Sequence, residues 1–269
     1  MIRRKQLSVG TIVVALLVGL ALLAVPACNK EAQGPDANSD PGKGPGPTVK
    51  GGGAGDPPAP GPAGDLVDIQ LELPKPRFSG TPKNIPPGTR VKVTKGPFKP
   101  RPPFKVPKGA ESNVALKKPV TSSDMEPVIG TLDLITDGNK EASEDAYVEL
   151  GPGVQWVQVD LEKPYKIYCV IVWHEHKDAR VYHDVVIQIA DDKDFITNVR
   201  TLYSNDHDNS AGQGIGQAWE FYDTFEGHLV DDSAVKDNKA RYIRLFSNGS
   251  TADDLNRYTE VAVYGIPAE

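Results

Sequence analysis

Two histidines one residue apart, His174 and His176, flank Glu175 directly after the apolar run Ile167-Tyr168-Cys169-Val170-Ile171-Val172-Trp173. On a continuing strand, residues two apart share a face, so the pair has a spacing compatible with a transition metal. No cysteine or third ligand lies close in sequence, so solvated or structural histidines and ligand contact are the readings set ahead of a metal. A second polar run, Asp206-His207-Asp208-Asn209-Ser210, is followed by Gly212, Gly214 and Gly216. Its first, third and fifth residues match a calcium loop, but the helix-flanked version needs Gly at the sixth position and Glu at the twelfth. Here those are Ala211 and Gln217, which leaves an ordered Gly/Asp loop, a ligand loop or a second cation site. Catalytic patterns are missing: there is no G-x-S-x-G elbow, no H-E-x-x-H and no phosphate-binding glycine loop. Paired acids such as Asp191-Asp192 and Asp231-Asp232 sit in turn-like polar stretches, where nothing separates their pKa values. The chain reads as a binder rather than an enzyme.

The N-terminus places such a binder outside the cytoplasm. Arg3, Arg4 and Lys5 precede an apolar run from Thr11 to Ala27, and Val25-Pro26-Ala27-Cys28 closes it. A small residue before a cysteine at the end of the apolar core resembles a lipoprotein processing box, so residues 1–28 are expected to be a signal peptide with Cys28 lipidated; plain secretion and an uncleaved anchor are the alternatives. Lipidation also accounts for Cys28, which otherwise would be an odd thiol beside the only other cysteine, Cys169. Cys169 itself reads as a small buried hydrophobe. From residue 29 to 64, ten glycines and eight prolines form half of the stretch, too little apolar surface to offset ordering entropy, so a disordered tether is expected.

Residues 65–108 carry ten Lys/Arg against three Asp/Glu, and residues 109–269 carry fourteen against twenty-nine. So acidic a C-terminal part is repelled by phosphate backbones and anionic bilayers, which argues against nucleic acid as a partner. In 65–108 the alternation Ile69-Gln70-Leu71-Glu72-Leu73 and the short Val91-Lys92-Val93 predict extended segments, confined to edges or the surface by the prolines. This is expected to be an extended Pro-rich arm lying partly along the domain. Beyond it the pattern is all-β, with strand-like runs at 154–161, 166–173, 184–190, 240–247 and 258–264 between turn clusters. Residues 109–269 are expected to fold alone.

Five segments in order resemble the discoidin, or coagulation-factor type C, galactose-binding-like domains: Asn113–Ser123, Ile135–Asn139, Trp156–Leu161, Ala240–Leu245 and Tyr258–Gly265. The resemblance spans 112–269 and implies a jelly-roll β-sandwich; it departs from the coagulation-factor members in lacking their terminal disulfide, and from the usual pattern between Asp194 and Asn238. It further implies a structural calcium ion, held by Asp137, by carbonyls of Leu134 and Asn139, and by Thr259 with Glu260, an oxygen set that suits a hard cation. The hydroxyl position of that pattern falls on Ala142, and Asp137-Gly138-Asn139 also reads as a plain tight turn. Sugar-binding members use the loop after the Trp173 strand, which makes His174, His176 and Arg180 hydroxyl-recognising donors and Tyr182 a stacking face; Asp206, His207 and Asp208 are the second group of candidate ligand contacts. The expected function is a membrane-anchored, extracytoplasmic module of the cell envelope that binds carbohydrate. The alternative is a protein-interaction or structural envelope role, with phospholipid binding and hydrolysis behind both.

Overall fold

A computed structural model describes residues 65–78, 85–92, 99–231 and 238–268. The signal segment, Cys28, the tether and Val93 lie outside the described residues. The described chain is all-β and antiparallel, consistent with the discoidin-like sandwich that the resemblance implies. Its strands are β1 (Leu66–Ile69), β2 (Phe104–Pro107), β3 (Val120–Ser122), β4 (Val148–Leu150), β5 (Gln155–His174), β6 (Val186–Ala190), β7 (Arg200–Ser204), β8 (His228–Asp231), β9 (Lys239–Ser247) and β10 (Asn256–Pro267), with one 3₁₀ turn at Leu132–Thr136.

The long β5 joins the two layers. Its first half pairs with β3 and β9, and its second half with β8 and β10. The switch falls at Leu161–Pro164, where the register with β9 jumps from Asp160 to Tyr165 and Glu162 takes a positive φ of 67°. The sequence predicts two strands here because Glu162-Lys163-Pro164 reads as a turn; the chain instead bends and continues into the other sheet. One sheet runs β3-β5-β9-β6-β7 and the other β4-β10-β5-β8.

Alternation along each strand decides what is buried between them. Val157, Val159, Val170 and Val172 of β5 meet Ile187 and Ile189 of β6, Ile243 and Leu245 of β9, and Val261 and Val263 of β10 in the central core. The opposite side of the second sheet carries Cys169, Ile171, Trp173, Ala262 and Tyr264, and this side is buried too. Ile69 and Val106 of the β1–β2 ribbon cover it, with Phe104 edge-on to Tyr264 at 5.3 Å between centroids. A strand apolar on both faces explains why the run before His174 lacks a polar alternation. Burial pushes the Cys169 thiol up to about 12, so it is inert as a nucleophile.

The ribbon is held at its far end as well. Arg101 donates its backbone N–H to Glu226 Oε1 at 2.7 Å, Nη2 to the Glu226 carbonyl at 2.9 Å and Nη1 to the Gly227 carbonyl at 3.0 Å. In the sequence-predicted segment after Ile69, residues 70–73 leave the ribbon without pairing, and Val91 makes a single parallel bridge to Glu220.

Gly227 sits against this face with φ +66°, and a Cβ there would lie 2.5 Å from the Trp173 ring. Neither the backbone nor the rigid indole can yield cheaply. Gly227→Ala is expected to cost about 3 kcal/mol, or roughly 9 °C in Tm for a domain of this size. A thermal melt of the variant within about 2 °C of the wild type would show that the turn relaxes freely.

Candidate functional site

The residues proposed for ligand contact after β5 fold inward. β5 ends at His174, so His174 and His176 do not continue along one strand face, and the metal spacing is lost. His174 is 1% exposed; its Nδ1 lies 2.8 Å from Asp223 Oδ1, and its ring stacks on Tyr182 at 4.4 Å. Tyr182 is equally buried and offers no face to solvent. His176, also buried, donates from Nε2 to the Lys140 carbonyl at 3.0 Å. Arg180 pairs with Glu175 at 2.9 Å and reaches Asp178 at 3.7 Å. The group is thus an internal polar network beneath the strand ends, and these four side chains are not an open glycan-contact surface. Its physical cause is the segment from Phe221 to Gly227, which lays Asp223 over His174; nothing local to the histidines announces it.

The second candidate run is a self-contained loop. Asp206 is fully buried and accepts the backbone N–H groups of Ser210 and Ala211, both at 3.0 Å. Asp208 accepts the Ser210 N–H at 2.9 Å, and His207 Nδ1 lies 3.3 Å from the Gly216 carbonyl. Asp184, Asp206 and Asp208 bring carboxylate oxygens within 4.8 Å of one another. Ser210 Oγ and Asn248 Nδ2 also donate to Asp184, at 2.6 and 2.9 Å. Donors of the protein thus occupy both oxygens of Asp206 and one each of Asp184 and Asp208, the arrangement of an ordered Asx-rich loop.

What the loop presents is a ridge that the sequence reading missed. Gly216 and Glu220 are buried, whereas Ile215, Gln217 and Trp219 are exposed, an alternation that aims all three outward. Gly216 donates to the Asp206 carbonyl at 2.6 Å and Ala218 to the Ser204 carbonyl at 3.0 Å, and Tyr203 Oη donates to the Trp219 carbonyl at 2.6 Å. Space at Gly216 is closed: a Cβ there would meet the Ser204 carbonyl at 2.3 Å. Glu220 ties the ridge down by accepting from the Arg90 backbone N–H and lying 3.1 Å from His183 Nδ1, and that hydrogen bond raises the His183 pKa. Trp219, at 55% exposed, is the one aromatic side chain classed as exposed among the described residues. The signal for it was present as Gly216 and the alternation about it, but needed the loop's register to be read.

The expected calcium ligands are brought together in part. Tyr258 pairs with His174 and Glu260 with Trp173, so Thr259 is the extra residue of a β-bulge, a device that re-aims side chains. Glu260 is fully buried, and its Oε2 accepts the Gly138 N–H at 3.0 Å, joining β10 to the turn at Asp137. Oε1 of Glu260 and Oγ1 of Thr259 are buried without a hydrogen-bond partner. Burial pushes the Glu260 carboxyl up to about 8, offset in part by the Gly138 N–H and by Lys140, with Asp137 adding to the rise. Asp137 is exposed at the mouth and accepts the Asn139 N–H at 2.7 Å. Leu134 belongs to the 3₁₀ turn before it. A fully buried carboxylate oxygen and a hydroxyl, both orphaned beside a second carboxylate, form an oxygen-only donor set that fits a hard cation.

No family model matches this chain, and no curated protein does. Solved structures similar to it include chitosan-binding module 1 of a chitosanase/glucanase from Paenibacillus sp. IK-5, at 22% identity over 57% of this chain and 99% of that one, with a TM-score of 0.38. The CBM32 of AlyQ in complex with 4,5-unsaturated mannuronic acid matches at 21% identity, over 54% and 92% of the two chains, TM-score 0.36. A fucolectin from striped bass (Morone saxatilis) serum matches at 18% identity, over 58% and 49%, TM-score 0.40. The likeness to all three is one of fold. What the structure itself defines is an all-β, antiparallel fold of two layers joined by β5.

Proposed function

We propose that this chain is a carbohydrate-binding module of the cell envelope, anchored through a lipid on Cys28 and held away from the membrane by the segment 29–64. The observation that carries the reading is Trp219: a half-exposed indole on a braced loop, flanked outward by Gln217 and Ile215. Rigid aromatic faces beside polar groups are what a sugar ring stacks and hydrogen-bonds on. That the structures of similar fold include a chitosan-binding module, a CBM32 with a bound mannuronic acid and an f-lectin agrees with this choice. Catalysis is not part of the proposal. Calcium is: Glu260, Thr259 and Asp137, with carbonyls of Leu134 and Asn139, would hold the ion, which would supply structural cross-linking.

A glycan array with the full chain tests the module, and Trp219→Ala tests the site. Losing a stacked indole removes on the order of 2 kcal/mol, so affinity for any glycan found on the array is expected to fall about thirtyfold. Tm is expected to stay within about 2 °C, because the side chain packs little. Equal binding by the variant would move the site elsewhere, and an array blank with and without calcium would remove the carbohydrate reading.

A further inference from the structure

The outer face of the β3-β5-β9 layer holds a groove of about 420 Å³ that no residue of the Trp219 ridge lines. Its floor is built from outward-pointing strand residues, Trp156 and Gln158 of β5 and Tyr242 and Arg244 of β9, with Thr121 of β3 on one wall and Lys193 on the other. That volume lies in the range of small-ligand sites.

Arg244 is the unusual member. Its guanidinium lies 4.4 Å from the Trp156 ring and 4.0 Å from the Phe195 ring. Nε and Nη2 both donate to Gln158 Oε1, at 2.9 and 2.6 Å, and Nη2 also to the Lys193 carbonyl at 3.1 Å. So the cation is oriented by an amide, a carbonyl and two rings, and among the described residues it forms no ion pair. Desolvation accordingly lowers its pKa. Asp194 and Asp192 act on the guanidinium through space and offset part of that fall, but no carboxylate of the described residues forms an ion pair with it, and its planar fork matches a carboxylate. Lys193, exposed on the wall, is likewise without an ion-pair partner among the described residues.

The acidic groups nearby differ in availability. Asp160 is already held by Arg241, whose Nε and Nη2 reach its two oxygens at 2.7 and 2.8 Å. Asp192 accepts the N–H groups of Asp194, Ile196 and Thr197 within its own turn. Asp194, at the groove, forms no ion pair among the described residues but acts on Arg244 through space, as Asp192 does. Arg244 and Lys193 thus present two cations without a contacting carboxylate on a domain part that is otherwise strongly acidic, with Asp194 and Asp192 opposing an incoming anion through space. A polyhydroxylated ring suits the rest of the groove, since Thr121, Gln158 and Trp156 offer a hydroxyl, an amide and an aromatic surface.

We propose that this groove binds a carboxylate-bearing saccharide of the uronate type, with Arg244 and Lys193 taking the carboxylate and Trp156, Gln158 and Thr121 the sugar ring. It rests on the reading that the ligand is a saccharide, but at a site separate from the Trp219 ridge.

Calorimetric titration of the full chain with trigalacturonic acid tests it. The expected result is measurable binding that weakens at least tenfold in Arg244→Gln and several-fold in Lys193→Ala, and that strengthens in Asp194→Asn. Trp219→Ala should bind the trisaccharide within twofold of the wild type, which separates this site from the ridge whatever the array shows there. The fully methyl-esterified trisaccharide should lose most of the affinity. The proposal is overturned by an absence of binding, by equal binding of the ester, or by an acidic peptide of the same charge binding as well. If Arg244→Gln fails to fold, the exposed pair Lys193→Ala and Asp194→Asn decides: affinities that do not move in opposite directions sink it.

Discussion

A chain starting at residue 109 is expected to melt at least 10 °C below one starting at residue 65, and to bind a hydrophobic dye in its native state. The reason is the outer face of the β4-β10-β5-β8 layer, where Ile171, Trp173, Ala262 and Tyr264 are buried under Ile69 and Val106. Each fully buried aliphatic side chain contributes about 2 kcal/mol. Removing Ile69 and Val106 therefore costs on the order of 4 kcal/mol, and roughly 10 °C for a domain of this size. The loss is compounded because the face left behind contains a tryptophan and a tyrosine, an exposed patch of the kind that drives association. Arg101 extends the dependence to the Glu226–Gly227 turn. Arg101→Ala in the longer chain should reproduce about a quarter of the shift, since it removes hydrogen bonds but leaves the ribbon's apolar contacts. Superimposable melts of the two chains, with no dye signal, would instead support the expectation that 109–269 is self-sufficient.

That expectation illustrates where the sequence stops being legible. Strand positions were readable in runs of more than about five residues, by alternation or, at 166–173, by a continuous apolar run between turn signals. The predicted runs at 166–173, 240–247 and 258–264 fall within β5, β9 and β10. Strands of three to five residues, β3, β4, β7 and β8, carry too few alternations to stand out. The role of the arm was legible only in part: its alternation and prolines predict extended segments lying partly along the domain, but the partners of Ile69 and Val106, at Ile171, Trp173, Ala262 and Tyr264, are announced by no local pattern. The candidate site residues show the same split. Asp137 and Glu260 could be placed by resemblance to a patterned family, and Gly138 does meet Glu260. His174 and Tyr182 could not, because whether a polar residue after a strand faces water depends on which loop crosses it. Trp219 lies outside the matching segments, and Arg244 lies inside one, Ala240–Leu245, that marks a strand and not a contact. Their importance lies in exposure and in a charge without a contacting carboxylate, and both are properties of the surroundings rather than of the residue.

Calcium is expected to raise the melting temperature of the wild-type chain at pH 8.5 and to leave Glu260→Gln unmoved. The argument begins with the bare protein. The Glu260 carboxyl titrates near 8 in the fold against an ordinary 4.5, chiefly because burial opposes its charge. A folded-state pKa above the unfolded one means that the native state binds more protons between those limits, so stability falls as pH rises. The contribution is fully present below about 4.5 and is lost as pH rises through about 8. At about 1.4 kcal/mol for each tenfold separation, the loss at the alkaline end is on the order of 4 kcal/mol. A divalent ion reverses the sign, because it requires the ionised carboxylate and gives the orphaned Oε1 of Glu260 and Oγ1 of Thr259 a partner. Calcium at a hundred times its Kd would restore about 2.7 kcal/mol, or roughly 8 °C. Binding should also weaken as pH falls below about 8, since the proton and the ion compete for the same oxygen. Glu260→Gln keeps the side chain's shape and abolishes the titration, so its stability in chelator should lack the decline from pH 5 to 8.5 that the wild type shows. Lys140, whose Nζ donates to the Gly138 carbonyl at 3.0 Å, already lies close enough to lower the Glu260 pKa. Lys140→Met should therefore steepen the calcium-free decline and enlarge the calcium response. Wild-type melts that ignore calcium and chelator alike at pH 8.5 would leave Asp137-Gly138-Asn139 as a turn capped by Glu260, and would assign the stapling of β10 to that one hydrogen bond.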